Sequence, residues 1–194
     1  DAHFYLEELI AKGVRYFVVE YIPEHLYNQA NFILVENTLV ALHKVVIAYR
    51  QKFDFPFIGI TGSNGKTIVK EWLNFLLSPD HLIVRNPKSY NSQVGVPLSI
   101  LGIEGNYDLG IFEAGISLPN EMPQLEQIIQ PKYGILTNIG SAHDEGFNNR
   151  EAKIKEKIRL FDNCSDVFLE QNSAIENLLP TAIKKHTWSL TDVN

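Results

Sequence analysis

Residues 59–67 read GITGSNGKT, a glycine-rich turn that closes on a lysine and a threonine. Those residue types at that spacing suit a phosphate. Gly62 and Gly65 let successive backbone N–H groups turn toward an anion, and the start of a helix adds its dipole. Lys66 brings a mobile positive charge, while the Thr67 hydroxyl suits a magnesium ion. Ser63 and Asn64 complete the turn. The general pattern places a glycine at position 60, where this chain has Ile60, and Gly59 falls one residue early. A nucleoside triphosphate is the ligand this turn calls for.

Further polar residues stand where apolar runs stop. Glu113 ends LGIFE, Asn138 ends GILTN, and His143 follows five residues later. In open parallel sheets, ligands bind outside the carboxyl ends of the strands, so these side chains are placed to converge on one nucleotide. Taken singly, Glu113 reads equally well as a capping or salt-bridged carboxylate, and His143 as a satisfied loop histidine. Beside a phosphate loop, metal or nucleotide roles are favoured. Cys164 lies among Asp162, Asn163 and Ser165 with no base next to it, which makes it a structural thiol rather than a nucleophile.

The elements that must position these groups follow from the apolar pattern. A strand at Phe57 to Ile60 runs into the turn and an amphipathic helix leaves it at Lys66. From residue 55 onward, strands near 57–61, 82–85, 109–113, 133–137 and 167–169 alternate with helices near 66–77, 119–129 and 150–162. This alternation predicts an α/β fold with a doubly wound, mainly parallel sheet. In the first helix Val69, Trp72, Leu73 and Leu76 read as one core stripe, stopped by Ser78 and Pro79. Upstream, a helix closed by Gly13 leads to a strand at Tyr16 to Val19 and another at Phe32 to Val35. Asn37 or Thr38 then caps a helix carrying Leu39, Leu42, Val46 and Tyr49 on one face. A boundary is expected within residues 36–54, between a short N-terminal piece and the nucleotide domain.

Composition narrows the partners. The 194 residues are 45% hydrophobic, enough for a sizeable core, and the net charge of −6 with no basic run argues against a nucleic-acid surface. Cys164 is the single cysteine, so no intrachain disulfide can form. No apolar run has membrane-spanning length or the form of a signal peptide, and a reducing cytoplasm fits.

At this point ordered blocks of the chain resemble the ATP-dependent Mur ligases of peptidoglycan precursor synthesis. GITGSNGKT is similar to their ATP loop and NSQVGVPLSIL to their Asn-rich segment. FEAGISLPNEM resembles their metal-binding glutamate segment, and PKYGILTNIGSAHDEGF their Asn-Ile-Gly and Ala-His segment. The opening DAHFYLEELIAKGVRYFVVE resembles the end of their N-terminal uridine-nucleotide domain. Among the branches, the wording is most similar to the one that adds D-alanyl-D-alanine to UDP-N-acetylmuramoyl-tripeptide, and SYNSQVGVP with FEAGIS to the form fused to an alanine racemase. Asp144 stands where that branch commonly has an aliphatic residue.

The resemblance implies residues 1–36 as a remnant of the N-terminal UDP-sugar domain. Residues 37–194 would be a central ATP-binding domain incomplete at its C-terminus, with the C-terminal ligase domain absent. It implies amide-bond formation through an acyl phosphate, with ATP and Mg2+ as cofactors. Such chemistry rests on positioning and charge neutralisation and needs no serine nucleophile, so Ser63 and Ser117 count as loop residues. Lys66 would contact phosphates, Thr67 one magnesium, and Glu113 and His143 would support the metal. Asn91 matches the Asn-rich block and reads equally as a turn-forming residue after Tyr90; Asn138 is similarly open. KIKEKIRLF resembles the stretch whose lysine becomes carbamylated, and Lys157 has the matching spacing to Phe161. Lys153 shares its helix face whereas Lys155 points elsewhere, and Arg159 stands where the family commonly has a carboxylate. From the residues alone, the same stretch reads as a solvated charged helix. Other readings stay open: another Mur ligase, a folylpolyglutamate synthase-like ligase, which shares the loop and the acyl-phosphate logic, and a nucleotide-binding module without catalysis.

Overall fold

The computed structural model describes residues 2–140, 147 and 149–189. Two compact units divide the chain, Asp1–Val45 and Val46–Asn194. In the first, α1 (Leu6–Ala11) precedes β1 (Tyr16–Val19) and β2 (Asn31–Leu34), which pair in parallel from Tyr16↔Asn31 to Val19↔Leu34. Leu6, Ile10, Val19 and Leu26 form its small core. Helix α2 (Thr38–Arg50) starts there, where Asn37 Oδ1 accepts the Val40 N–H at 2.9 Å, the bond expected of an Asn at a helix start.

The second unit alternates strand and helix: β3 (Phe57–Thr61), α3 (Lys66–Leu77), β4 (Ile83–Arg85), α4 (Gly95–Leu101), β5 (Leu109–Glu113), α5 (Met122–Ile129), β6 (Tyr133–Leu136), α6 (Arg150–Ile158), β7 (Asp166–Glu170), α7 (Ser173–Glu176) and β8 (Lys184–Trp188). The sheet order is β4-β5-β3-β6-β7-β8, and every pairing is parallel. Strands β3 and β5 are buried at every residue, which is why FIGIT and LGIFE read as continuous runs rather than alternating ones. After β3 the chain turns back toward β4, whereas after β6 it continues outward to β7 and β8. The direction of winding therefore reverses beside β3, and a crevice opens at the carboxyl ends there.

The buried face of α3 keeps half of the expected stripe, Val69 and Leu73, and leaves the other half outside. Val69, Leu73 and Leu77 pack against Ile58, Ile60, Leu109 and Ile111, whereas Trp72 is 68% exposed and Leu76 67%. The helix is apolar on more than one side, so periodicity alone leaves its rotation open. The deciding residue is Lys70, wholly buried one turn above Lys66, which turns its own side of the helix inward. The helix expected over 150–162 ends at Ile158 and continues as a 3-10 turn, Arg159–Phe161. The Phe161 ring lies where a side chain at Gly134 would sit, with a Cβ there only 2.4 Å from the ring, so this glycine lets the turn after α6 rest on the sheet.

Candidate functional site

The phosphate-loop turn joins β3 to α3. Gly62 (φ +147°) and Gly65 (φ +81°) hold backbone conformations that favour glycine. At Gly62 a Cβ would also fall 2.0 Å from Thr137 Oγ1. The turn is stitched to the segment after β6: Ser63 N–H donates to Asn138 O (2.8 Å), Asn64 N–H to Asn138 Oδ1 (2.9 Å), and Thr137 Oγ1 to Asn64 O (2.6 Å). Asn138 thus shapes the loop through both its backbone and its amide. Ser63 Oγ donates to Gly140 O at 3.2 Å, as befits a loop residue rather than a nucleophile.

Three lysines surround this turn. Lys66 Nζ donates to Gly62 O (2.9 Å), Lys157 Nζ to the same carbonyl (3.2 Å), and Lys153 Nζ to Gly140 O (2.8 Å). Lys153 and Lys157 are fully buried, while Lys155 on the same helix is exposed and pairs with Glu151 at 2.6 Å. Arg159 faces Asp162 at 3.9 Å, away from the loop. Burial lowers the Lys66 ammonium from its usual range despite the attraction of Glu113. For Lys157, burial foremost, then the charges of Lys66 and Lys153, push the pKa down to about 8. Closely spaced cations that are mostly out of water favour an anion among them.

Opposite the lysines, Thr67 Oγ1 donates to Glu113 Oε2 at 2.8 Å. Glu113 is fully buried, and among the described residues its Oε1 has no hydrogen-bond partner, with Lys70 Nζ 3.8 Å away. A hydroxyl beside a buried carboxylate with one oxygen left over is a hard-oxygen donor set, and these residues fit Mg2+. Among the described residues, no three of His, Cys, Asp or Glu gather as a metal cluster. His143 and Asp144 lie outside the described residues.

A cleft of about 150 Å³ opens from the loop, with Lys66, Asn91, Gly115, Ser117, Glu121 and Lys157 among its lining residues. Asn91 O accepts the Gly115 N–H at 2.8 Å, and Ser117 N–H donates to Glu121 Oε2 at 2.7 Å. The structure therefore brings Lys66, Thr67, Asn91, Glu113 and Lys157 together around one turn. Two groups escaped the sequence reading. One is Lys70, a charged residue on an amphipathic helix that the apolar pattern does not single out; the other is a second cleft, about 120 Å³, past the ends of β6 and β7, lined by Asn138, Arg150, Glu170 and Asn172 among others. The position of Glu170 and Asn172 at the end of a strand was the available signal. Cys164 is buried with its thiol pushed up to about 12 by burial, in keeping with a structural role.

A parallel α/β sheet with a glycine-lysine-threonine turn at its winding reversal defines a phosphate-loop nucleotide-binding domain. The family model described as the Mur ligase middle domain matches residues 60–191, and the chain belongs to the Mur ligase family. The UDP-N-acetylmuramoyl-tripeptide--D-alanyl-D-alanine ligase of Treponema pallidum is 34% identical over 175 residues, covering 86% of this chain and 38% of the relative. The enzyme of that name from Borreliella burgdorferi is 38% identical over 138 residues, 71% of this chain and 30% of the relative. The crystal structure of MurF ligase from Thermotoga maritima in complex with ADP superposes with a TM-score of 0.88 at 26% identity, over 97% of this chain and 42% of that one. The chain thus spans less than two fifths of the length of either curated relative.

Proposed function

We propose that this chain is the ATP-binding portion of a cytoplasmic ligase that adds D-alanyl-D-alanine to UDP-N-acetylmuramoyl-tripeptide. The observation that carries the reading is the Thr67–Glu113 hydrogen bond beside a phosphate-loop turn whose Gly62 carbonyl accepts from both Lys66 and buried Lys157. The 34% and 38% identities to ligases of that name support the substrates. Residues 1–36 are read as belonging to a UDP-sugar domain.

Lys66 and the turn hold the ATP phosphates, and the cleft past β6 and β7 receives the nucleoside, since it adjoins the loop on the side away from Glu113. Thr67 and Glu113 hold Mg2+, with His143 supporting it. Bound there, Mg2+ supplies neutralisation of phosphate charge. The tripeptide carboxylate attacks the γ-phosphorus as the bond to ADP breaks, and the D-alanyl-D-alanine amine then displaces phosphate from the acyl group. Lys66 and the loop dipoles stabilise the charge that develops in the first step. Asn91 lines the cleft where the reacting carboxylate enters. Lys157, with its lowered pKa, supplies a neutral amine that adds to carbon dioxide, losing a proton and leaving an anionic carbamate among the cations.

The test is phosphate release by the complete natural polypeptide in the presence of UDP-N-acetylmuramoyl-tripeptide and ATP. Release should depend on D-alanyl-D-alanine and fall at least ~100-fold in Lys66→Ala, in line with loss of a transition-state charge contact. Turnover that is indifferent to the dipeptide, or to Lys66, overturns the proposal.

A further inference from the structure

Lys70 has the environment of a residue selected for position. Its side chain has no exposed surface, although it belongs to the helix that begins at the phosphate loop. Nζ donates to Asn86 O at 2.7 Å and to Lys88 O, lies 3.5 Å from Glu71 Oε1, and stands 3.8 Å from Glu113 Oε1, which has no hydrogen-bond partner among the described residues. One ammonium therefore joins three pieces of the site: the helix behind the loop, the 86–91 segment that carries Asn91, and the end of β5.

The segment it holds is itself under strain, since Lys88 has φ +50°, a left-handed conformation uncommon for a residue with a Cβ. A second buried group, Asn86, reinforces the arrangement. Its Oδ1 accepts the Glu113 N–H at 3.1 Å, and its Nδ2 donates to Glu113 O (3.1 Å) and Tyr90 O (2.8 Å). Glu113 is thus fixed at its backbone by Asn86 and faced at its carboxylate by Lys70, while Asn86 is fixed in turn by Lys70 through its carbonyl. A fully buried carboxylate without a counter-charge is costly, and one free to rotate does not present a defined oxygen to a cation.

We infer that Lys70 is a positioning residue for the magnesium-dependent part of nucleotide binding: it holds Glu113 aimed beside Thr67, and ties the Asn91 segment to the phosphate-loop helix. The inference rests on the nucleotide-binding reading proposed above. It predicts a division of labour in which the loop and Lys66 bind phosphate without the metal, while Lys70 acts on the metal's contribution through Glu113.

Titration calorimetry of the complete natural polypeptide with ADP, with and without Mg2+, separates the two. In Lys70→Met the affinity without Mg2+ should stay within about twofold of wild type, while the gain in affinity on adding Mg2+ falls about tenfold, the scale of losing a group that orients a metal ligand. In a Glu113→Gln background the same substitution should have no further effect on that gain, because its route is already cut. Should Lys70→Met not fold, Lys70→Gln, which retains a donor for the Asn86 carbonyl without the charge, carries the same expectation. A Mg2+ gain equal to wild type in the folded variant, or effects of Lys70 and Glu113 that simply add, overturns the role of Lys70. No ADP binding by the wild-type protein overturns instead the nucleotide-binding reading on which it stands.

Discussion

Lys157 lies within reach of the Gly62 carbonyl, with almost no access to water, beside two further lysines. The three candidate lysines of α6 divide by burial: Lys155 goes to solvent and an i, i+4 partner, whereas Lys153 and Lys157 turn under the loop. Spacing along the helix was enough to separate Lys155 from the other two. It could not reveal how little solvent Lys157 retains, since that depends on the loop that folds over it. The pH consequence follows from linkage. The folded chain holds Lys157 at about 8 against an ordinary 10.5, so between those values the unfolded chain binds more protons and stability rises with pH. Below pH 8 the cost of holding the ammonium, buried and beside two other cations, is present in full, on the order of 3 kcal/mol. Lys157→Met in carbon-dioxide-free buffer without nucleotide should therefore be more stable than wild type near neutral pH, and the advantage should fade toward pH 10. Urea unfolding at several pH values measures it; a variant less stable than wild type at neutral pH contradicts the electrostatic account of this lysine.

Helix α6 is the element that delivers both lysines, and it is fixed at its ends. Asn149 Oδ1 accepts the Ala152 N–H at 2.8 Å at its start, and Leu160 and Phe161 are buried beyond its finish. Asn149→Ala removes the cap and should cost about 1 kcal/mol, a drop in melting temperature of ~2–4 °C, measurable by circular dichroism. A shift in the opposite direction would mean the cap bond does not hold the helix. Strands β3, β5 and β6 were legible because a central parallel strand is an unbroken apolar run between turn signals. The strand β8 was not, because KKHTW carries little apolar character and pairs only with β7. The helix α4 escaped because Gly95 and Pro97 stand inside it; Pro97 at its third residue falls in the first turn, where the missing N–H does no harm. The rotation of α3 was misread for a different reason: the residue that sets it, Lys70, is a buried cation whose partners Asn86, Lys88 and Glu113 come from distant parts of the chain. Sequence periodicity assigns such a residue to the surface.

At the scale of the molecule, the second unit is a parallel sheet whose winding reverses beside its central strand, and the polar groups collect at that reversal. The loop, Glu113, Asn91 and Asn138 come from the ends of four neighbouring strands and the segments beyond them, which is why residues up to 95 positions apart, Gly62 and Lys157, share a hydrogen bond. No helix among the described residues is long and apolar enough to cross a membrane. The chain corresponds to 38% of the length of its Treponema pallidum relative, and in the proposed function the phosphate contacts are made by these residues. The measurement that bears most directly on that claim is equilibrium binding of ATP with Mg2+ to the complete polypeptide and to its Lys66→Ala variant. The account predicts saturable one-to-one binding, weakened ~10- to 100-fold by the substitution, as expected for loss of a charge-assisted contact to phosphate. An absence of binding in the wild type, or equal affinity in the variant, would contradict it.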